Sequence, residues 1–338
     1  MVFISRSIAV LAIGCLLCVL SPAVSIAVET GRDDFALNVE ASRILALRGG
    51  LKSASLSLDL IEEGGGEFLA SALPVPAFLA PSINAETPTW LANASFQSPY
   101  FDKPMIAVVI DDMGLNQKLS ARVAALPAPL TLSYLPYAEG LTAQTANARQ
   151  HGHELMLHMP MEPHGREQPG PAALLTGLSP SEIQKRVRHN FSELTGIVGI
   201  NNHMGSKFTE RGDLIDIVMK EVKQRNMLFL DSKTSGRSVA EQHAVKFDIP
   251  ATHRDFFLDH KPTLDFVKAT LVQAEKHARN YGSSVVIGHP KEITIEGLKQ
   301  WLPYARERGF EIVPISKIVL YRNPSLQQKA AIAMASND

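Results

Sequence analysis

A few short segments of the chain carry side chains able to do acid–base or metal chemistry. They are Asp111-Asp112, His158 with Glu162 after it, Asn201-Asn202-His203, Asp231-Ser232 and His289. Adjacent acids are costly unless something relieves their repulsion, because two carboxylates held close cannot both stay charged cheaply. A cation beside them removes the conflict. Asp112 with histidines makes a nitrogen–oxygen donor set suited to zinc or another divalent transition metal. The other aspartate is then free to act as a base on water, and a histidine from the opposite wall can protonate a leaving group. Together that is metal-assisted hydrolysis, with acid–base work divided between Asp and His.

These residues follow apolar runs with strand character, rich in β-branched residues and bounded by turn residues. The runs are Met105–Ile110, Leu130–Leu135, Glu154–His158, Ile197–Asn201, Met227–Leu230, Val285–Gly288 and Glu311–Ile315. Helical spacing predicts helices over Gln117–Ala125, Glu139–Gln150, Ser181–Leu194, Asp213–Gln224, Thr263–Tyr281 and Ile295–Arg308. Strands alternating with helices imply βα units and a parallel sheet, either a barrel or a doubly wound sheet. A barrel places functional groups at the carboxyl ends of its strands, where most of these acids and imidazoles fall. One Asp after a strand is often only a helix cap. The recurrence at so many strand ends points to a site.

Composition narrows the classes further. The chain has 338 residues, 45% hydrophobic, with formal net charge −1. That balance argues against a general nucleic-acid binder, which needs a basic surface. Two cysteines exclude a disulfide scaffold and a four-cysteine zinc site. Both, Cys15 and Cys18, fall in a stretch with Arg6, an apolar run from Ile8 to Leu20, and a small-residue site at Ser25-Ile26-Ala27. This is the layout of a secretory signal peptide over 1–27, with an uncleaved membrane anchor and a cytosolic start as competing readings. Cleavage after Ala27 leaves a protein without thiols. Residues 28–102 carry Gly64-Gly65-Gly66, many Ala and Ser, scattered prolines and an acidic excess, the composition of a largely disordered linker. All eleven histidines lie between His151 and His289, inside one domain over 103–323. Residues 324–338 read as a flexible tail.

Ile106-Ala107-Val108-Val109-Ile110-Asp111-Asp112-Met113-Gly114 resembles the first motif of the NodB-like polysaccharide deacetylases. The ordered series His158-Met159-Pro160-Met161-Glu162, Asn201-Asn202-His203-Met204-Gly205-Ser206, Phe229-Leu230-Asp231-Ser232 and Ile287-Gly288-His289-Pro290 is similar to the divergent polysaccharide deacetylase family. The resemblance covers residues 103–320. It implies an α/β fold, a distorted (β/α)7 barrel of the glycoside hydrolase/deacetylase superfamily. It implies Asp111 as general base, Asp112 and His158 as metal ligands, and His289 as general acid. Better-known relatives have a second metal-binding histidine four residues after the first, where this chain has Glu162. His203 is the favoured replacement, and Glu162 the alternative ligand. Asn202, Lys207, Asp231, Ser232, Arg254 and Asp255 are candidates to shape the site or touch substrate, as is Asp259-His260 after another likely strand end, Phe256-Phe257-Leu258.

The leading expectation is an exported hydrolase, periplasmic or secreted, that removes acetyl groups from an N-acetylated glycan such as peptidoglycan or an exopolysaccharide. A barrel that binds glycan or protein without turnover competes with it. Glycosidic bond cleavage ranks last, because adjacent Asp111 and Asp112 are awkwardly placed to flank a scissile bond. Membrane contact is expected only through an uncleaved N-terminal segment.

Overall fold

The computed structural model describes residues 87–96, 98–127 and 129–335. The signal peptide expected at 1–27, and the expected linker up to 86, lie outside the described residues.

All strand pairs are parallel. From β1 (Met105–Met113) the sheet runs through β2 (Thr131–Tyr134), β3 (Glu154–Met161), β4 (Gly199–Met204) and β5 (Leu228–Asp231) to β6 (Ala251–His253). On the other side of β1 lie β8 (Ser283–Gly288) and then β7 (Phe256–Phe257). A ninth strand, β9 (Glu311–Val313), pairs the first residues of β1, before the stretch that pairs β2. Only Arg254 and Asp255 separate β6 from β7. The Arg254 amide donates to the Asp231 carbonyl on β5, and the Asp255 amide to the Val285 carbonyl on β8. The two outer strands are therefore halves of one split stave. Counted with this split stave, the sheet curls around through seven staves, matching the distorted (β/α)7-type barrel expected from the sequence.

Helices follow the strands. The short α1 (Thr89–Ala92) precedes β1, and α2 (Gln117–Ala124) and α3 (Leu141–Gln150) flank β2. Next come α4 (Pro180–Ser192), α5 (Gly212–Gln224), α6 (Ala240–Lys246), α7 (Leu264–Tyr281), α8 (Glu292–Glu307), α9 (Ile315–Arg322) and α10 (Pro324–Ala335). Local chemistry sets several ends. The Ser179 hydroxyl accepts from the Glu182 amide with Pro180 in the first turn of α4, and Thr263 caps α7 through the Phe266 amide. Gly282 ends α7 at φ +81°, a conformation that carries no penalty without a Cβ.

Alternation along the strands builds two cores. Ile106, Val108 and Ile110 pack with helix residues such as Ile183, Val218, Leu271 and Leu298. Met105, Ala107 and Val109 pack instead with Met156, Leu228, Leu230, Val285 and Ile287, away from the flanking helices and inside the barrel. Both faces of β1 are buried, which is why it reads as one continuous apolar run.

Among the described residues, packed structure extends beyond the 103–323 domain read from the sequence. Trp90 and Leu91 are buried against the barrel interior, together with Ile315, Ile318 and Val319 of α9. The 324–338 segment, read as a flexible tail, forms α10 up to Ala335, with Ala330 buried in the same cluster. The signal missed was apolar content: Trp90 and Leu91 lie among prolines, and α10 lacks strong amphipathic periodicity. Helices α6 and α9 were also not anticipated. The last strand stops at Val313, because Pro314 cannot donate to a ladder and opens α9 instead.

Candidate active site

The inward alternation continues past the apolar layer into chemistry. Two residues beyond Val109 is Asp111; beyond Met156, His158; beyond Leu230, Ser232; beyond Ile287, His289. On β4 the inward positions run Gly199, Asn201, His203. A cleft of about 460 Å³ opens at these strand ends, and its walls include Asp111, Asp112, His158, His203, Ser232 and His289.

Asp112 is the exception to alternation. Regular pleating would turn it away from Asp111. The register between β1 and β2 instead shifts between Ile110 and Met113, a bulge, and Asp112 takes φ +54°. Asp is among the few residues that visit this region, at a cost on the order of 1 kcal/mol. The distortion brings both carboxylates into one cleft.

Asp112, His158 and His203 place one ligand atom each within 4.8 Å of one another. Asp112 Oδ1 lies 2.8 Å from His203 Nδ1 and 3.3 Å from His158 Nε2. It is a buried oxygen that neither ring engages in a well-aligned hydrogen bond. Three ligand atoms this close, poorly aligned for bonding one another, fit a shared cation. Burial pushes the Asp112 carboxyl up, but the two imidazoles outweigh it and hold the group well below the usual carboxylate range. An anionic Asp112 and two histidines form a donor set that fits a divalent metal.

Asp111 is 2% exposed and sits in a different environment. Burial raises its pKa, against the lowering influence of His158, His289 and the Asn201 amide. Asn201 Nδ2 donates to Asp111 Oδ1 at 2.7 Å. The Asn201 carbonyl oxygen meets His158 Nδ1 at 2.9 Å and the Ser133 hydroxyl at 2.6 Å. Nδ1 of His158 is thus its N–H, and Nε2 is left to face Asp112.

His289 faces Asp112 from the opposite wall, with Nε2 3.8 Å from Asp112 Oδ2. Its Nδ1 lies 2.9 Å from Asp259 Oδ1, and its backbone amide donates to Asp259 Oδ2 at 2.8 Å. Burial would lower the imidazole pKa, but Asp259 first, with Asp112 and Asp111 behind it, raises it. Thr294 also donates to Asp259 Oδ2, which fixes the carboxylate.

The remaining candidates separate into two groups. Ser232 and Asn202 lie at the cleft: the Ser232 amide donates to Asn202 Oδ1 at 2.9 Å, and the Ser232 hydroxyl accepts from Asn201 at 3.0 Å. Arg254 lines the cleft as well. Asp231 does not. It is fully buried and accepts from the Lys233 amide and the Ser238 hydroxyl, which braces the loop after β5 rather than capping a helix. Asp255 is tied to Arg322 on α9 at 2.7 Å and braces the barrel seam rather than substrate. Glu162, the alternative ligand, is not brought to the cluster. Its carboxylate pairs with Lys207 at 2.7 Å and accepts from the Thr176 amide, which occupies Lys207 too. The ladder explains this: β3 continues past His158 to Met161, so Glu162 leaves the barrel mouth.

One position went unassigned in the sequence. Asn201 was one of a pair, and only the inward alternation of β4 distinguishes it from Asn202. Asp259 was a candidate to shape the site or touch substrate, but its partner His289, thirty residues away, was not legible. Two other histidines are held away from the cleft. His153 bridges the Leu130 amide and the Ala124 carbonyl, and His243 pairs with Asp216.

Residues 108–319 match the family described as divergent polysaccharide deacetylase, and the chain belongs to that family. A Haemophilus influenzae protein of uncharacterized function is 31% identical over 211 residues, which span 62% of this chain and 75% of that one. The Escherichia coli protein YibQ, also uncharacterized, is 32% identical over 195 residues, 58% of this chain and 61% of its own length. The crystal structure of an uncharacterized protein from Agrobacterium tumefaciens C58 superimposes with a TM-score of 0.66 at 27% identity, covering 68% of this chain and 94% of that one.

Proposed function

We propose that this protein is an exported, metal-dependent deacetylase of an N-acetylated glycan. The observation that carries the reading is the buried Asp112 Oδ1 facing His158 and His203, with Asp111 and His289 on either side. Family membership supports it. Asp112, His158 and His203 would hold the ion, zinc being the best match to the donors. A divalent cation there supplies Lewis-acid polarisation of an acyl oxygen.

The chain's own residues supply the proton traffic. Asp111, buried beside the three residues that would hold the ion, accepts a proton from the water that attacks the acyl carbon. Asn201 keeps Asp111 oriented by occupying its other oxygen. His289, held as imidazolium by Asp259, gives a proton to the departing amine as the carbon–nitrogen bond breaks. The products are acetate and a free amino sugar. The signal-like segment at 1–27 supports work outside the cytoplasm; the N-terminal residue of protein recovered from the cell envelope tests that directly.

The test of activity is acetate release from N-acetylated oligosaccharides by the zinc-loaded protein. Asp111→Asn is expected to lower kcat by about 10²-fold or more. If no substrate yields acetate, and Asp111→Asn behaves as wild type in cells, the enzymatic reading is lost.

A further inference from the structure

Among the described residues, Arg254 stands apart from the other arginines. Arg122, Arg186, Arg188, Arg211, Arg225, Arg237, Arg308 and Arg322 each have a carboxylate partner. Arg149, Arg166, Arg279 and Arg306 do not, and all of them are exposed. Arg254 is half-buried on the cleft wall with no carboxylate at ion-pair distance. Burial lowers its pKa, and only the more distant Asp111, Asp231 and Asp255 act the other way. An under-solvated charge of this kind is expensive to keep unless it meets a partner.

Its geometry is that of a held receptor group. Nε donates to the Ser232 carbonyl at 2.6 Å and Nη2 to the Lys233 carbonyl at 2.8 Å. The guanidinium lies over the Phe257 ring, 5.1 Å from its centroid. Those contacts fix the plane and leave Nη1 without a partner. Lys233, at φ +50°, and His260 line the same cleft. The Lys233 ammonium is only loosely drawn to Glu241, at 3.9 Å. With a divalent cation neutralising Asp111 and Asp112, this wall carries a net positive charge.

We propose that Arg254 is a specificity residue that binds a carboxylate on the sugar unit being deacetylated, so that the preferred substrate is an acidic N-acetylated glycan. This rests on the deacetylase reading and deepens it. A rigid guanidinium with a free edge matches a carboxylate better than a hydroxyl, and the hold on it is prepaid by the two carbonyls.

The test compares an N-acetylated oligosaccharide bearing a free carboxylate with the same compound as its methyl ester. The zinc-loaded wild-type protein is expected to favour the acid about tenfold in kcat/KM, chiefly through KM. Arg254→Gln should bring that ratio to about one, and Arg254→Lys should restore part of it. Calorimetric binding of both compounds to the same proteins reads the preference without turnover. Preferential binding of the acid with no acetate released would keep the anion site and remove the deacetylase reading. Acetate release with no preference in wild type overturns the anion site alone. An Arg254→Gln variant that weakens acid and ester equally overturns it too, leaving Arg254 as a brace for Ser232 and Lys233.

Discussion

Asp259 holds His289 at two points, its Oδ1 2.9 Å from the ring Nδ1 and its Oδ2 accepting the backbone amide at 2.8 Å. One carboxylate thus sets both the orientation of the imidazole and its charge, and it comes from the segment just beyond the split stave. The placement of His289, the proposed proton donor, therefore depends on the split stave as well as on its own strand.

The first prediction concerns that pair. Asp259 raises the His289 pKa, so the imidazolium persists to higher pH than it would alone. An acid of this kind works below its pKa and fails as pH rises through it. Asp259→Asn should shift the alkaline limb of the pH–rate profile to lower pH and reduce kcat by about 10-fold to 10³-fold. An NMR titration of His289 gives the same shift without reference to substrate. An unchanged His289 titration in the variant would refute the pairing.

Metal binding should separate His203 from Glu162. His203→Ala removes a donor atom of the cluster, and zinc affinity is expected to fall by about 100-fold or more. Glu162→Gln breaks only a half-exposed ion pair with Lys207, with a stability cost of at most about 1 kcal/mol. Its zinc affinity should equal that of wild type. Competition with a chromogenic chelator measures both. Loss of zinc from the Glu162 variant with retention in the His203 variant would reverse the assignment.

Asn201 is fully buried and bonded to Asp111, His158, Ser133 and Ser232. Asn201→Leu keeps the branched shape, with added bulk, and strands several buried polar groups. Each orphaned group costs about 1–3 kcal/mol, so a net loss of roughly 3 kcal/mol is expected. Urea unfolding should show a lower midpoint with an unchanged slope. A loss below about 0.5 kcal/mol would mean that the network is not tensioned as described.

Glu154 is a buried acid far from the cleft chemistry. Its carboxylate accepts from the Ser316 amide and hydroxyl, the Thr131 hydroxyl and the Ser95 amide, joining β3, α9 and the segment before β1. Burial still pushes its pKa up to about 7 from the ordinary 4.5. The folded state then binds the proton more tightly than the unfolded one. Its contribution is full below pH 4.5 and is lost as pH rises to about 7, worth on the order of 3 kcal/mol. Glu154→Gln cannot titrate, so its stability relative to wild type should improve across that window. Denaturation at pH 5 and pH 7.5 tests it; a pH-independent difference would count against the raised pKa.

Much of the site was legible in the sequence because strand ends announce themselves. Apolar runs that stop at Asp111, His158, His203 and His289 need only the rule that parallel barrels carry chemistry at strand carboxyl ends. The alternating βα order likewise determined the parallel sheet, since buried parallel strands leave continuous β-branched runs and helices leave spaced ones; the choice of a barrel over a doubly wound sheet came from the ordered motifs. What the sequence could not decide depends on where the backbone departs from regularity. Asp112 joins Asp111 only because β1 bulges and takes a positive φ, and no composition signal marks that shift. Glu162 leaves the cluster because β3 runs on to Met161, a length set by pairing with β4. Asn201, Asp259 and Arg254 gained their roles from partners distant in the chain. Trp90 entered the core because the barrel interior needed covering at one end. The sequence by itself determined which chemical groups are available and which elements carry them. Only the tertiary structure decided which groups face one another, because the curl of the sheet and its register bring distant strand ends to within a few ångströms.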